Sequence, residues 1–393
     1  LEPTVGGINL EDIKAPECFV VEKKLRETLK IPVFHDDQHG TAIIAAAGLI
    51  NAARLQGKAI EKMKVVVSGA GAAAIACAKL IESMGVPREN FLLADSKGVC
   101  FKGRTEGMNV YKEYFAAETE KRTLAEAMEG ADLFLGCSVA GLVTKDMVKS
   151  MADKPIVFAM ANPDPEITYE DALDARPDVI MATGRSEYPN LFYNVLGFPF
   201  IFRGALDIKA NAINEEMKIA AAHALAELAR LPVPAEVTAA YGGANFEFGP
   251  EYIIPKPFDS RVLAIVASAV AKAGCDTGVA GDPISDWDAY RETLEGMHNK
   301  SLMVMHTIRN KAKAQPRKIV FAEGANDRVL EACRIAMDEG FCRPILLGDV
   351  AVIRTKAEEI GFDLDGVKIK NPASCPNLDA MAQMLFRERA RSG

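Results

Sequence analysis

The chain has 393 residues, 49% of them hydrophobic and 25% charged, with a formal net charge of −8. That length allows two or three domains of ordinary globular composition. The acidic balance, with no block of basic residues, argues against a nucleic-acid or anionic-membrane surface, and every apolar run is broken well before the roughly 18 residues that a membrane span needs.

Residues 1–33 alternate short apolar and charged runs. Ile8 to Leu10 reads as a short strand leading into Glu11-Asp12. Pro16 to Leu29 reads as an amphipathic helix with Phe19, Val20 and Leu25 on its apolar side. Ile31 to Phe34 is a second short strand. It delivers His35-Asp36-Asp37-Gln38-His39 at its C-terminal end, where open α/β sheets gather active-site groups. Thr41 to Leu55 is apolar almost all round and is expected as a buried helix. Acids at the mouth of such a helix are costly unless something uses them.

Between residues 63 and 200 strands alternate with helices. Strands are expected at Lys64–Val67, Phe91–Ala94, Leu133–Gly136, Pro155–Met160 and Val179–Met181, and helices at Ala72–Met84 and Leu124–Met128. This pattern predicts an α/β fold: a doubly wound, mostly parallel sheet of Rossmann type. Residues 201–275 turn helical, at Ile213–Leu228 and Arg261–Lys272, around a Pro/Gly-rich loop at Tyr241–Pro257. Residues 276–316 read as a connector with one helix, Asp286–Leu302. A strand at Lys318–Ala322, a helix at Arg328–Asp338 and a strand at Pro344–Leu347 then begin a second α/β domain, expected to be incomplete.

The eight cysteines, Cys375 among them, stand singly with no Cys-x-x-Cys pair, as expected of free thiols in a reducing cytoplasm. Leu1-Glu2-Pro3-Thr4 reads like mid-protein sequence, and Ala390 to Gly393 follows directly on a charged helical stretch. Both ends are therefore expected to be truncated.

Three constellations carry chemistry. Gly69-Ala70-Gly71-Ala72-Ala73-Ala74 gives G-x-G-x-x-A after a Val-rich strand and at the head of a helix. Gly69 permits the tight turn, Gly71 lets a pyrophosphate approach the helix N-terminus, and Ala74 lets helix and strand pack closely. Asp95 ends the next strand, where a ribose-contacting acid belongs. Such an acid favours NAD, yet Ser96-Lys97 follow it and Lys102, Arg104 and Lys112 are near. A cation could hold a 2′-phosphate, so NADP is the expected cofactor and NAD the alternative. Glu11, Asp12 and Asp37 offer the carboxylate oxygens that Mg²⁺ or Mn²⁺ requires, although such acidic pairs are also common on plain surfaces. His35 and His39 are either further ligands or, as preferred for such a metal, hydrogen-bonding supports of the acids. Asn162-Pro163 at one strand end, and Asn194 before an aromatic-rich turn, could address a substrate carboxylate or hydroxyl.

These residues together resemble the malic enzymes, specifically the long bacterial type fused to a phosphate-acetyltransferase-like domain. The matching stretches are Gly6 to Ile13, Phe34 to Ala42, the Gly69/Gly71 loop, Phe158 to Glu166, Asn194 to Asp207, Tyr252 to Phe258 and, for the second domain, Lys318 to Leu330. The resemblance implies oxidative decarboxylation of L-malate to pyruvate and CO₂ with reduction of NADP. It implies Glu11, Asp12 and Asp37 as metal ligands, Asp36 as an acid beside the metal, and Asn162 and Asn194 as malate and nicotinamide contacts. It also implies a homo-oligomer, with acetyl-CoA as an effector at the C-terminal domain. Residues 1–40 are then the remnant of a catalytic N-terminal domain, 41–275 the NAD(P)-binding domain, 276–316 a connector and 317–393 an incomplete acetyltransferase-like domain. Tyr193 stands where the family usually has a second Asn. The family's catalytic Tyr and Lys and its carboxylate-binding Arg are expected upstream of Leu1, so residues 1–393 alone are expected to show little activity. Two other readings compete: a non-catalytic module binding nucleotide and acyl-CoA, and a different NAD(P)-dependent dehydrogenase.

Overall fold

The computed structural model describes residues 4–338, 340–374 and 376–389, the side chains of 298–310 and 388 excepted. Cys375 and the terminal residues 1–3 and 390–393 lie outside the described residues, so the thiol and truncation readings are not addressed there. The chain divides into two compact units, residues 1–296 and 297–393.

The first unit opens with strand β1 (Ile8–Leu10), helix α1 (Glu17–Thr28), strand β2 (Val33–His35), one π-helical turn (Asp36–Gly40) and helix α2 (Thr41–Gln56). It continues through β3 (Val65–Ser68), α3 (Ala72–Ser83), β4 (Phe91–Asp95), β5 (Gly98–Val99), α4 (Val110–Tyr114), α5 (Leu124–Met128), β6 (Leu133–Gly136), α6 (Lys145–Lys149), β7 (Ile156–Ala159), α7 (Tyr169–Ala175) and β8 (Ile180–Thr183). Helices α8 (Phe198–Asp207), α9 (Glu215–Arg230), α10 (Ala235–Ala240) and α11 (Arg261–Asp276) follow, and α12 (Trp287–Ala314) spans the division between the units.

The main sheet has six strands in the order β5-β4-β3-β6-β7-β8, parallel except at β5. Strand side chains alternate between two cores, as the period of two requires. Val65, Val67, Leu133, Leu135, Ile156 and Phe158 face a core shared with α2, α3, α9 and α11. Val66, Phe134, Val157 and Met181 face the core under α5, α6 and α7. Helix α2 is buried between α3 and α9, which is why it carries no polar stripe. The chain leaves β3 toward β4 and returns to β6 on its other side, so the topological switch point lies between β3 and β6.

Several local features differ from expectation. Val20 is 48% exposed, and the residues of α1 that are buried are Cys18 and Glu22. Helix α8 starts inside an apparent aromatic turn because Pro199 sits in its first turn, where a missing N–H costs nothing. Helix α12 runs to Ala314, through the charged stretch assigned to a connector. The seven described cysteines are all free. Among the described residues, no helix is long and apolar enough to cross a membrane.

The second unit holds a three-stranded parallel sheet, β9 (Arg317–Phe321), β10 (Cys342–Leu347) and β11 (Lys368–Lys370), in the order β11-β10-β9. Helices α13 (Asp327–Asp338) and α14 (Val350–Glu359) help enclose a small core of Leu330, Cys333, Leu346, Ile353, Ala357 and Phe362. Val320 of β9 and Met384 and Phe386 of helix α15 (Leu378–Arg389) are exposed.

Candidate active site

Strands β1 and β2 pair in parallel with Leu10 beside His35, so both chains leave the pair at the same end. That register brings Glu11-Asp12 to Asp36-Asp37. Asp12 adopts a left-handed backbone (φ +58°), and its N–H donates to Asp37 Oδ2 at 2.9 Å. Aspartate is among the few non-glycine residues that adopt this region readily. Asn9 Nδ2 donates to Glu11 Oε1 at 2.6 Å. Asn194 joins the acids from a distant segment: its Nδ2 lies 3.4 Å from Asp36 Oδ2, and its Oδ1 accepts from Thr41 Oγ1 at 3.1 Å. Burial pushes the Asp36 carboxyl up to about 6, against the Asn194 hydrogen bond and with help from the charges of Glu11 and Asp37.

The two histidines part company. His35 is fully buried; its Nδ1 is 3.8 Å from Asp37 Oδ2, and neither ring nitrogen has a hydrogen-bond partner among the described residues. His39 does not support the acids. The π-helical turn carries it to the opposite side, where Nε2 lies 2.7 Å from Glu22 Oε1 and Nδ1 lies 3.3 Å from Lys218 Nζ. It lines a 530 Å³ cavity with these two residues.

Among the described residues, no group of three His, Cys, Asp or Glu side chains converges on one point as a closed metal cage. The neighbourhood nonetheless suits a hard divalent cation. Its donors are carboxylate oxygens, and Asp36 Oδ1 is buried without a hydrogen-bond partner, which native interiors avoid unless something binds there.

The glycine loop lies at the head of α3, and the acid-bearing turn packs against that same helix. Gly69 has φ +104°, and a Cβ there would lie 2.4 Å from the Cys137 carbonyl oxygen, so the turn admits only glycine. Gly71 is exposed and a Cβ on it would meet nothing within 4 Å, leaving open space over the helix N-terminus. Ala74 is fully buried. This cradle fits a pyrophosphate.

At the end of β4, Asp95 is enclosed. Arg104 Nη2 lies 2.7 and 2.8 Å from its two oxygens, Lys112 Nζ donates to Oδ2 at 2.6 Å, and Lys97 N–H donates to Oδ1 at 2.9 Å. Burial raises the Asp95 carboxyl, but the Lys112 and Arg104 hydrogen bonds outweigh it and hold the group below its ordinary value. Four hydrogen bonds occupy the lone-pair sites that a carboxylate offers, so a ribose hydroxyl finds no vacant acceptor. Two cations against one acid leave a surplus positive charge. Ser96 is exposed, and the Lys97 ammonium pairs at the surface with Glu106. Arg104, which is not among the residues singled out as cofactor contacts, is the most buried cation paired with Asp95. Its signal in the sequence was only a cation nine positions after the strand-end acid.

Asn162 is exposed just beyond β7 and Tyr193 is exposed beside Asn194; the acid cluster takes in Asn194 but neither of these. Asn162 instead belongs to the C-terminal edge of the main sheet.

Residues 38–238 match the family described as malic enzyme, NAD binding domain, and residues 303–393 match phosphate acetyl/butaryl transferase. The chain belongs to the malic enzyme family. It is 52% identical over 395 aligned residues to an NADP-dependent malic enzyme of Rhizobium meliloti, covering 100% of this chain and 52% of that protein. An NAD-dependent malic enzyme of the same organism is 50% identical, over 96% of this chain and 49% of the relative. The crystal structure of malic enzyme from Pyrococcus horikoshii superimposes with a TM-score of 0.70 at 36% identity, covering 79% of this chain and 70% of that one. The chain spans about half the length of the curated relatives it matches. Malic enzymes naming either nicotinamide cofactor are thus similar to it.

Proposed function

We propose that residues 1–393 carry the dinucleotide-, metal- and malate-binding part of an NADP-dependent malic enzyme that oxidatively decarboxylates L-malate to pyruvate and CO₂. One observation carries this reading. The turn bearing Asp36 and Asp37 packs on α3, the helix whose N-terminus forms the dinucleotide cradle, so chelating acids and hydride acceptor share one neighbourhood.

Glu11, Asp12 and Asp37 would hold Mg²⁺ or Mn²⁺, and Asp36 stands beside them as a proton-handling or orienting acid. The ion, when bound, supplies Lewis-acid stabilisation of negative charge on the substrate's C2 oxygen. Asn194, already between Asp36 and Thr41, orients malate by offering both a donor and an acceptor. Gly69, Gly71 and Ala74 shape the pyrophosphate cradle, Asn162 addresses the nicotinamide end, and Asp95, Ser96, Lys97 and Lys112, with Arg104, address the adenosine ribose. The surplus charge around Asp95 supports NADP over NAD. The match of residues 303–393 supports an acyl-CoA effector site, a homo-oligomer is proposed from the family resemblance alone, and the free, mostly buried thiols support a cytoplasmic setting.

Malate, NADP and Mn²⁺ should yield equal amounts of NADPH and CO₂ with the full-length protein. Residues 1–393 alone should yield little or none, since the proton-transferring Tyr and Lys are expected outside them. No malate oxidation by the full-length protein would sink the reading. Robust turnover by the 393 residues alone would place the proton-transfer groups among them.

A further inference from the structure

At the centre of the sheet's C-terminal edge lies a carboxylate that none of these roles uses. Glu166 is fully buried. Its Oε1 accepts from Ser138 N–H at 2.8 Å and pairs with Ser138 Oγ at 3.0 Å, and its Oε2 accepts from Ala161 N–H at 3.1 Å. Ser138 Oγ lies a further 3.0 Å from Ser68 Oγ. Backbone N–H groups only donate, so both Glu166 oxygens act as acceptors. The Ser138 hydroxyl then gives its proton to Oε1 and accepts that of Ser68. Each hydrogen bond points toward the one carboxylate.

The three segments held this way are not neighbours in sequence. Ser68 ends β3 and precedes Gly69; Ser138 follows β6; Ala161 follows β7 and precedes Asn162. The tie therefore crosses the switch point between β3 and β6, where dinucleotides bind in open α/β sheets. Gly136 makes room for it: a Cβ there would stand 2.4 Å from the Glu166 carboxyl carbon. A buried carboxylate is expensive, and this one makes three hydrogen bonds, all of them to the rim of the crevice, where an apolar side chain would pack at less cost.

We infer that Glu166 is a positioning residue for the dinucleotide. Through Ser138 and Ser68 it sets the cradle at Gly69 and Gly71, through Ala161 it sets the Asn162 segment, and so it fixes how the nicotinamide half lies relative to the pyrophosphate. This rests on the dinucleotide site proposed above, and the adenosine end at Asp95 lies outside the tie.

The test compares NADPH with adenosine 2′-monophosphate, which carries the adenosine end and no phosphate for the cradle, as ligands of the 393-residue chain followed by calorimetry and by NADPH fluorescence. Glu166→Gln keeps the volume but turns an amide N–H₂ toward a backbone N–H, breaking one arm. It should weaken NADPH roughly tenfold or more, as a lost buried hydrogen bond does, and return the bound nicotinamide's emission toward that of free cofactor. Affinity for adenosine 2′-monophosphate should stay within about twofold. Ser138→Ala retains the backbone donor, removes the link to Ser68, and should act in the same direction; it carries the comparison if E166Q fails to fold. Parallel loss of both ligands, or no change in either, overturns the inference. A wild-type chain binding neither ligand overturns the dinucleotide site itself and this inference with it, and is told apart because the loss precedes any substitution.

Discussion

Arg104 holds both carboxylate oxygens of Asp95 through one nitrogen, at 2.7 and 2.8 Å, with its side chain only 6% exposed. Lys112 holds the same carboxylate from another side. The acid that would otherwise accept from a ribose hydroxyl is thereby neutralised; Arg104 spends its N–H groups on Asp95, on Glu106 O and on the carbonyls of Gly98 and Val99, so it would favour a 2′-phosphate by its charge rather than by a direct bond. Arg104→Ala should weaken NADP roughly tenfold, equivalent to about 1.4 kcal/mol, while leaving NAD unchanged or improved. Calorimetric titration with both cofactors measures the ratio; an unchanged ratio removes Arg104 from cofactor selection.

The same cluster gives a pH dependence. The folded pKa of Asp95 lies below its ordinary value of 3.8. Ionised Asp95 therefore contributes its full stabilisation above that pH and loses it as the pH falls through the lower, folded value. Asp95→Asn leaves two cations short of a partner and should cost about 1–3 kcal/mol at pH 7. Urea unfolding of wild type and variant should show the gap narrowing below pH 3.8. A gap that widens in acid would contradict the assignment.

The two loop glycines should separate folding from binding. Gly69→Ala forces a Cβ onto the Cys137 carbonyl oxygen at a positive φ and should lower stability by about 1–3 kcal/mol or more. Gly71→Ala meets open space at an ordinary φ of −85° and should melt like wild type, yet it intrudes where a pyrophosphate would lie and should weaken NADP binding. Equal melting temperatures for the two variants would refute this division.

For the acid cluster, Mn²⁺ binding to the chain can be followed by electron paramagnetic resonance without any turnover. Asp37→Asn should weaken Mn²⁺ roughly tenfold or more, since a neutral amide replaces an anionic donor. His39→Ala should leave Mn²⁺ affinity within about twofold, because His39 faces Glu22 and Lys218. Loss of Mn²⁺ binding in the His39 variant would return that residue to the site.

The fold was largely readable. Each main-sheet strand from β3 to β8 except β5 was marked by an apolar run, because a strand buried on both faces has nowhere to place a polar residue. β5 is two residues long and antiparallel, too short for any periodicity to register. Helix α8 was hidden because Gly197, Pro199 and three phenylalanines read as a turn, although a proline in the first helical turn is harmless. At the site, the sequence placed the acids at two strand ends, and the parallel β1–β2 register brings Glu11-Asp12 and Asp36-Asp37 to one end. His39 could not be assigned from spacing, since a π-helical turn moves side chains round at a different pitch from the ordinary helix.

The sequence by itself determined the doubly wound sheet, the glycine loop before its helix, and the acids at two strand ends. All three follow from hydrophobic period and local backbone chemistry, which act over a few residues. Only the tertiary structure decided that Asp95 is neutralised by Arg104 and Lys112, that Asn194 reaches Asp36, and that Glu166 ties β3, β6 and β7 together. The reason is that a carboxylate in a partly dry interior is governed by whichever donors surround it. Those donors come from separate segments that strand order and packing, not chain neighbourhood, bring within hydrogen-bond distance.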